Sequence, residues 1–105
     1  GQWFETTVAV DSGPTALCYN WLSSKLYCAN GYGNSVSVIS GESNEVLVTI
    51  PVGLAPASLC FNPDSNRIYC ANSGSNTVSV IDCDLDSVVA VVPVGSWPAA
   101  LLYNG

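Results

Sequence analysis

Three aspartates alternate in the segment Asp82-Cys83-Asp84-Leu85-Asp86, and this arrangement is similar to the start of a calcium-binding loop. Asp82, Asp84 and Asp86 are therefore candidate metal ligands, because Ca²⁺ binds several carboxylate oxygens. The glycine and the distant glutamate of such a loop are missing. The segment that lies 42 residues earlier in the chain, Ser40-Gly41-Glu42-Ser43-Asn44, has no alternating acidic residues. We therefore favour a solvated turn over a calcium site.

Histidine is absent from the sequence, so the usual general base of hydrolytic enzymes is absent too. Ser-His-Asp and Cys-His catalytic arrangements are excluded for this chain. A phosphate-binding loop needs the N-terminus of a following helix, and no stretch has helical spacing. The sequence therefore predicts a non-enzymatic protein that holds no cofactor.

The five cysteines include two pairs with the same spacing of ten residues. Cys18-Cys28 and Cys60-Cys70 are candidates for cross-strand disulfides, provided that the strand register places their members directly opposite each other. A register shifted by one residue would place them on opposite faces of the sheet. The interpretation that we favour is that these cysteines are small buried apolar side chains. Metal binding is less favoured, because the sequence has neither a C-x-x-C motif nor a histidine.

The sequence repeats with a period of 42 residues. "YCAN" occurs at 27–30 and at 69–72, and the same spacing relates Val36 to Val78 and Pro51 to Pro93. When residues 12–53 are aligned with residues 54–95, 18 of 42 positions are identical. A period in the forties with this identity indicates repeated supersecondary units within one fold.

Each unit is predicted to contain four short strands, because runs rich in Val, Ile, Tyr and Thr alternate with Asn, Gly, Ser and Pro. The prolines at 51 and 93 place the fourth strand at the edge of its sheet, since proline cannot donate to a ladder. Both faces of most strands are apolar, so each sheet needs cover on both sides. These features are typical of β-propeller blades. The predicted strands are 15–19, 25–29, 35–39 and 46–52, then 57–61, 67–71, 77–81 and 88–94.

The second unit carries the pattern P-x-x-L-x-x-N-P-x-x-N-R-I-Y-x-A-N-x-G-S-N-T-V-S-V-I-D, followed by V-V-x-x-V-P-V-G. This pattern resembles the YVTN-type β-propeller repeat, with cysteine where that motif has valine. The resemblance covers almost the whole chain. It implies an all-β fold whose blades each have four antiparallel strands. It also implies an extracytoplasmic protein of the cell surface or periplasm, used as a scaffold.

The repeat predicts a single propeller segment over residues 1–105. Residues 3–12 supply the last strand of a preceding blade (Phe4–Val10), 13–53 form blade 1, and 54–95 form blade 2. Residues 96–105 supply the first strand of a following blade (Ala99–Tyr103). Two and a half blades give an incomplete ring. We therefore expect either a segment of a longer propeller or a homo-oligomer that associates through its open blade faces.

Turns alternate between the two faces of a propeller. One face therefore carries both the turn between the second and third strands and the P-V-G segment at the end of the fourth strand. Tyr32, Trp97, Asn34 and Asn76 are the candidate ligand face, because exposed aromatic side chains among polar loops often serve recognition. Two alternatives remain open. In the first, Trp97 fills the seam between blades, and in the second, the asparagines at 30, 34, 72 and 76 only stabilise the turns.

The net charge of −6, with Lys25 and Arg67 as the only basic side chains, excludes nucleic acid and anionic membranes as favoured partners. The apolar runs are too short for membrane insertion. The predicted partner is an unidentified protein or small molecule. The leading hypothesis is a non-enzymatic binding or structural scaffold. The alternatives are a fragment of a longer propeller enzyme (lactonase-like or an oxidoreductase) with its active site on other blades, and a structural surface-layer repeat.

Overall fold

The structure is a computed structural model that describes Val10 and residues 12–95 of the chain. The terminal strands predicted at Phe4–Val10 and Ala99–Tyr103 lie outside the described residues, apart from Val10 itself. The described part of the chain is built from β-strands. Within it, no helix has the length and the apolar composition needed to cross a lipid bilayer.

Two four-stranded sheets follow one another along the chain, and every neighbouring pair of strands is antiparallel. Strand order in each sheet equals chain order. Pro51 and Pro93 end the outermost strands, as predicted from their missing N–H groups. The strands are β1 (Pro14–Asn20), β2 (Lys25–Asn30), β3 (Ser35–Ser40) and β4 (Val46–Pro51) in blade 1, and β5 (Pro56–Asn62), β6 (Arg67–Asn72), β7 (Thr77–Asp82) and β8 (Ser87–Pro93) in blade 2.

The backbone repeats as closely as the sequence does. Left-handed backbone conformations (φ between 51° and 65°) occur at four pairs of positions, each separated by one repeat. The register irregularities recur in the same places, at the start of the first strand and between the third and fourth strands. Asn and Asp suit such positions because their short side chains bond locally. The four pairs are Gly13 and Ala55, Ser24 and Asn66, Asn34 and Asn76, and Asn44 and Asp86.

The hydrophobic core lies between the two sheets. It combines one face of blade 1 with one face of blade 2, and partly buried side chains such as Phe61 pack around it. Strand β5 contacts β1 and β2. The blades therefore meet at their first strands, as blades arranged around an axis do. The core residues are Tyr27, Val36, Val38 and Ile50 from blade 1, and Ile68, Cys70, Ile81 and Cys83 from blade 2.

Candidate functional site

The YCAN asparagine of blade 1 is the centre of a buried polar network. Asn30 Nδ2 donates to Ser35 Oγ (3.1 Å) and Ser37 Oγ (3.0 Å), both on the neighbouring strand. The Cys28 thiol donates to Asn30 Oδ1 at 3.7 Å. Turn stabilisation was one of the alternatives that the sequence left open for Asn30. Instead it is fully buried and joins β2 to β3 through side chains.

Blade 2 contains the same network with one substitution. Asn72 Nδ2 donates to Thr77 Oγ1 (3.1 Å) and Ser79 Oγ (2.9 Å), and Cys70 Sγ donates to Asn72 Oδ1 (3.5 Å). Buried polar groups must be satisfied, and the hydroxyl partners satisfy the amide N–H groups of both asparagines. The repeated pairing of Y-C-A-N with S-V-S-V or T-V-S-V is therefore explained by folding, and it supplies no catalytic group.

The two proposed disulfides are contradicted by the strand register. Cys18 lies opposite Tyr27, and Cys28 lies opposite Leu17. In blade 2, likewise, Cys60 lies opposite Tyr69 and Cys70 opposite Leu59. An offset of one residue places the members of each pair on opposite faces of the sheet. Cys18-Cys28 and Cys60-Cys70 are consequently not bonded, and all five cysteines are free thiols.

The cysteine thiols are poorly suited to nucleophilic or redox chemistry. Burial raises the pKa of Cys28 and of Cys83, and it raises the pKa of Cys70 to about 12. The pKa of Cys18 is also raised, first by burial and then by the nearby Cys60. Because the thiolate is the reactive form, these groups are protonated and unreactive at neutral pH.

The three alternating aspartates face different partners. Asp82 Oδ1 accepts the backbone N–H groups of Asp84 (2.8 Å) and Leu85 (3.3 Å), which closes a local turn. Asp84 Oδ1 accepts from Asn66 Nδ2 at 3.0 Å. Asp86 is directed to the other blade. No cluster of three or more potential ligands among the described residues is arranged to hold a metal ion, so Asp82, Asp84 and Asp86 do not converge as the calcium hypothesis requires.

Asp86 instead joins the two blades. Its Oδ2 lies 2.7 Å from Lys25 Nζ, and its Oδ1 accepts from the Tyr27 hydroxyl at 2.7 Å. Lys25 Nζ also donates to the Cys83 carbonyl at 3.1 Å. The pKa of Tyr27 is raised, first by burial and then by hydrogen bonding to Cys83 and Asp86. We call Lys25, Tyr27, Cys83 and Asp86 the blade clasp.

Sequence reasoning missed the blade clasp, although one signal was present. A basic residue precedes tyrosine by two positions in both units, as Lys25 and Tyr27 and as Arg67 and Tyr69. Residues with this spacing on a strand point to the same face. A shared cation and hydroxyl on one face indicate a carboxylate partner, and Asp86 supplies it from the next unit.

The predicted ligand face is assembled only in part. Tyr32 is 87% exposed at the β2–β3 turn. Asn34 lies in the same turn, where its Oδ1 accepts the N–H of Ala55 (3.0 Å) and its carbonyl accepts the N–H of Val52 (3.0 Å). The turn is thereby fixed to the connection between the blades.

The remaining residues of the predicted ligand face belong to blade 2 and to the end of the chain. Asn76 is exposed, and its carbonyl accepts the Val94 N–H at 3.0 Å. Trp97 lies outside the described residues. The structure therefore brings Tyr32 and Asn34 together, and it gives Asn76 the equivalent place in blade 2.

Comparison with known proteins identifies the architecture. No protein-family model matches the sequence, and no curated protein matches it. The chain is similar to a chain of the Kuenenia stuttgartiensis hydrazine synthase, with a TM-score of 0.80 and 28% identity over 95% of this chain. It is also similar to the β-propeller domain of Myceliophteria thermophila Cps50 (Swd1), with a TM-score of 0.74 and 14% identity over 88% of this chain. A third similar structure is apo AztD from Citrobacter koseri, with a TM-score of 0.72 and 12% identity over 89% of this chain.

The fold is that of an incomplete β-propeller. This chain spans 29%, 29% and 26% of those three chains, respectively. The all-β prediction, with four antiparallel strands in each blade and an unclosed ring, is confirmed.

Proposed function

We propose that this chain is a non-enzymatic β-propeller module that acts as a binding scaffold through the face carrying the β2–β3 turn. The observation that carries this proposal is the environment of Tyr32, a highly exposed aromatic ring on a turn whose backbone is held rigidly. The N–H groups of Gly31, Tyr32 and Gly33 donate to the carbonyls of Gly13 and Ser12. A rigid exposed aromatic loses little conformational entropy when it binds a ligand.

The lack of histidine and the burial of the thiols support the non-enzymatic part of the proposal. The chain has no histidine, and its most buried thiols are protonated at neutral pH. The carboxylates of Asp82 and Asp86 are engaged in a turn and in the blade clasp. The partner that these features suit is a protein or small molecule recognised by stacking and hydrogen bonding.

The resemblance to the YVTN-type repeat supports a finer assignment. It favours an extracytoplasmic scaffold of the cell surface or periplasm. The spacing of the tyrosine, the turn asparagines and the P-V-G exit carries this resemblance in both units.

A second candidate function is favoured by one observation. The similarity to a hydrazine synthase chain, at 28% identity, suits a propeller module within a larger enzyme. In that case the reactive groups would lie on parts of the protein other than this segment. Sequencing the flanking gene separates the two candidates, because only the enzyme candidate predicts histidines and acidic clusters on neighbouring blades.

Peptide and glycan arrays probed with the labelled chain test the binding proposal. We expect spots bound by the natural chain to lose most of their signal with Tyr32→Ala. Tyr19→Ala is the matched control, since Tyr19 is also exposed but lies on β1. Equal binding by the natural chain and Tyr32→Ala, or no binding above background, would contradict a ligand face at Tyr32.

A further inference from the structure

The interface between the blades shows which two surfaces of a blade are complementary to each other. Blade 1 contributes one surface, face A, and blade 2 contributes a complementary one, face B. The apolar centres of the two faces pack against each other, and the blade clasp links their rims. Face A consists of Lys25, Tyr27, Val36, Val38 and Ile50, and face B consists of Ile68, Cys70, Ile81, Cys83 and Asp86.

Because the chain repeats, each blade also carries the other kind of face on its opposite side. Side chains alternate between the two faces of a sheet along each strand. The residues of blade 2 that are equivalent to face A of blade 1 therefore point away from blade 1. In the same way, the residues of blade 1 that are equivalent to face B of blade 2 point away from blade 2. On blade 2 the second face A comprises Arg67, Tyr69, Val78, Val80 and Val92. On blade 1 the second face B comprises Leu26, Cys28, Ile39, Gly41 and Asn44.

Both outer faces are exposed in part, although Val80 of the outer face A and Cys28 and Ile39 of the outer face B are buried. Arg67 is exposed and Val92 is 45% exposed on the outer face A. The outer face B of blade 1 borders a cavity of about 600 Å³ that is lined by Leu26, Cys28, Ile39 and Asn44. The apolar positions of the internal interface remain apolar in both outer faces, except that Gly41 replaces Cys83.

We propose that the outer face A of one copy docks onto the outer face B of a second copy of this chain, head to tail. The internal interface supplies the geometry, because each outer face repeats one of its two halves. Such an interface is heterologous, so a copy that is bound through one face still presents the other. The association extends until the copies close a ring or form an open array.

One substitution makes this contact weaker than the internal one. On the outer face A, Arg67 and Tyr69 are equivalent to Lys25 and Tyr27. Across the proposed contact they meet Asn44 of the second copy, which is equivalent to Asp86 of the internal interface. Asn44 (φ 61°) and Asp86 (φ 52°) share the left-handed conformation, so their side chains leave the backbone in the same direction.

The chemistry of the copy-to-copy contact follows from these side chains. Tyr69 accepts a hydrogen bond from Asn62 Nδ2 at 3.2 Å and keeps its own proton to donate. Asn44 offers a neutral amide oxygen to Tyr69 and Arg67, whereas Asp86 offers two charged oxygens. Hydrogen bonds to charged groups are the stronger ones. The copy-to-copy contact is therefore reversible and depends on concentration.

Sedimentation velocity of the full chain over a wide concentration range tests the proposal. We expect weak association of the natural chain, and Asn44→Asp should tighten it about tenfold by creating the missing carboxylate. The backbone at Asn44 accommodates this change, since Asp86 already adopts the same conformation. When Arg67→Glu is combined with Asn44→Asp, the gain in affinity should be abolished. Thermal unfolding of each variant checks that the fold is intact.

A capping experiment separates this mode from other kinds of association. A chain that carries Asn44→Asp and Arg67→Glu together has a strong face B and a blocked face A. When it is added in excess to Asn44→Asp, it should end the growing assemblies and leave small species. Three results would overturn the proposal. The first is that the natural chain and Asn44→Asp are both monomeric, and the second is that neither Asn44→Asp nor Arg67→Glu changes the association. The third is that the double variant does not reduce the size of the assemblies. The ligand face at Tyr32 is a separate surface, so either proposal can fail without the other.

Discussion

The turn that carries Tyr32 and the equivalent turn of blade 2 make the same close contact with different pairs of residues. A Cβ atom at Gly13 would lie 2.6 Å from Cδ2 of Tyr32, so the tyrosine ring lies directly against a glycine backbone. In blade 2 the sizes are reversed, because Ala55 stands at the first position and Gly74 at the second. A Cβ atom at Gly74 would lie 3.1 Å from Cβ of Ala55. Only blade 1 can therefore present an aromatic ring at this turn.

Ala55 adopts a φ of 51°, in the left-handed region that is unfavourable for residues other than Gly, Asn and Asp. We expect Ala55→Gly to stabilise the protein by about 0.5–1 kcal/mol, because relief of this strain exceeds the entropy that glycine adds to the unfolded chain. Urea denaturation measures the change. The opposite change at the equivalent position, Gly13→Ala, should destabilise, whereas Gly95→Ala should be nearly neutral because none of the described residues lies within 4 Å of its Cβ position. A lower urea midpoint for Ala55→Gly would show that this strain is absent.

The buried thiols predict a loss of stability in alkali. The pKa of Cys70 is raised from its ordinary value of 9.0 to about 12, so the unfolded chain releases this proton at a lower pH than the folded one. The stabilisation is complete below about pH 9 and is lost between about pH 9 and 12, at about 1.4 kcal/mol per pH unit for this thiol. Urea titrations across this range should show a steeper decline for the natural chain than for Cys70→Val. Parallel curves would mean that the thiol titrates equally in both states.

At the scale of the strands, the buried asparagines fix the pairing of the second and third strands in each blade. Every buried side-chain nitrogen and oxygen among the described residues has a hydrogen-bond partner. The hydroxyl groups of β3 and β7 are the acceptors in these networks, so they contribute to stability although they lie among valines: Ser35, Ser37, Thr77 and Ser79. Their removal leaves an amide hydrogen unsatisfied.

We expect Ser79→Ala to lower the free energy of unfolding by about 1–2 kcal/mol, because Asn72 then loses one of its two acceptors. Ser37→Ala should have a similar effect in blade 1. The matched control is Ser65→Ala at an exposed turn, which should change stability by less than about 0.5 kcal/mol. Chemical denaturation of the three variants gives the comparison. Equal effects for Ser79→Ala and Ser65→Ala would remove the argument for a satisfied buried network.

The sequence predicted the strands well, because their signals are local. Runs of β-branched residues, turn asparagines and the late prolines at 51 and 93 each act within a few positions. The candidate disulfides Cys18-Cys28 and Cys60-Cys70 could not be decided from the sequence, because a spacing of ten leaves the register undetermined, and one residue decides which face each cysteine occupies. The clasp between Lys25 and Asp86 escaped prediction for a related reason. It joins residues that are 61 positions apart, and only the packing of two blades brings them together.

At the scale of the whole molecule, the blade clasp adds a polar link to the apolar core that joins the two blades. The side chains of Lys25 and Asp86 are only 20% and 17% exposed, so water screens their attraction weakly. The loss of this carboxylate leaves a partly buried cation without a counter-charge. The clasp therefore contributes more to stability than an ordinary surface ion pair.

Asp86→Asn should destabilise the protein by about 2 kcal/mol, because a charged acceptor shared by Lys25 and Tyr27 becomes a neutral one. Asp84→Asn on the same turn is the control. Its carboxylate is exposed, so a change within about 0.5 kcal/mol is expected. Thermal unfolding followed by far-UV and near-UV circular dichroism measures both variants and reports whether the transitions still coincide. Equal stability of Asp86→Asn and Asp84→Asn would show that the blades are held by apolar contacts alone.

The paired left-handed positions have an evolutionary consequence. A crossover between the coding segments of the two repeats, at a pair of equivalent codons, joins backbone that already turns the same way on both sides of the junction. Such an event adds or removes one whole blade and leaves no broken strand. Proteins with different numbers of blades can therefore arise from this coding sequence by unequal recombination, and each product inherits turns that fit.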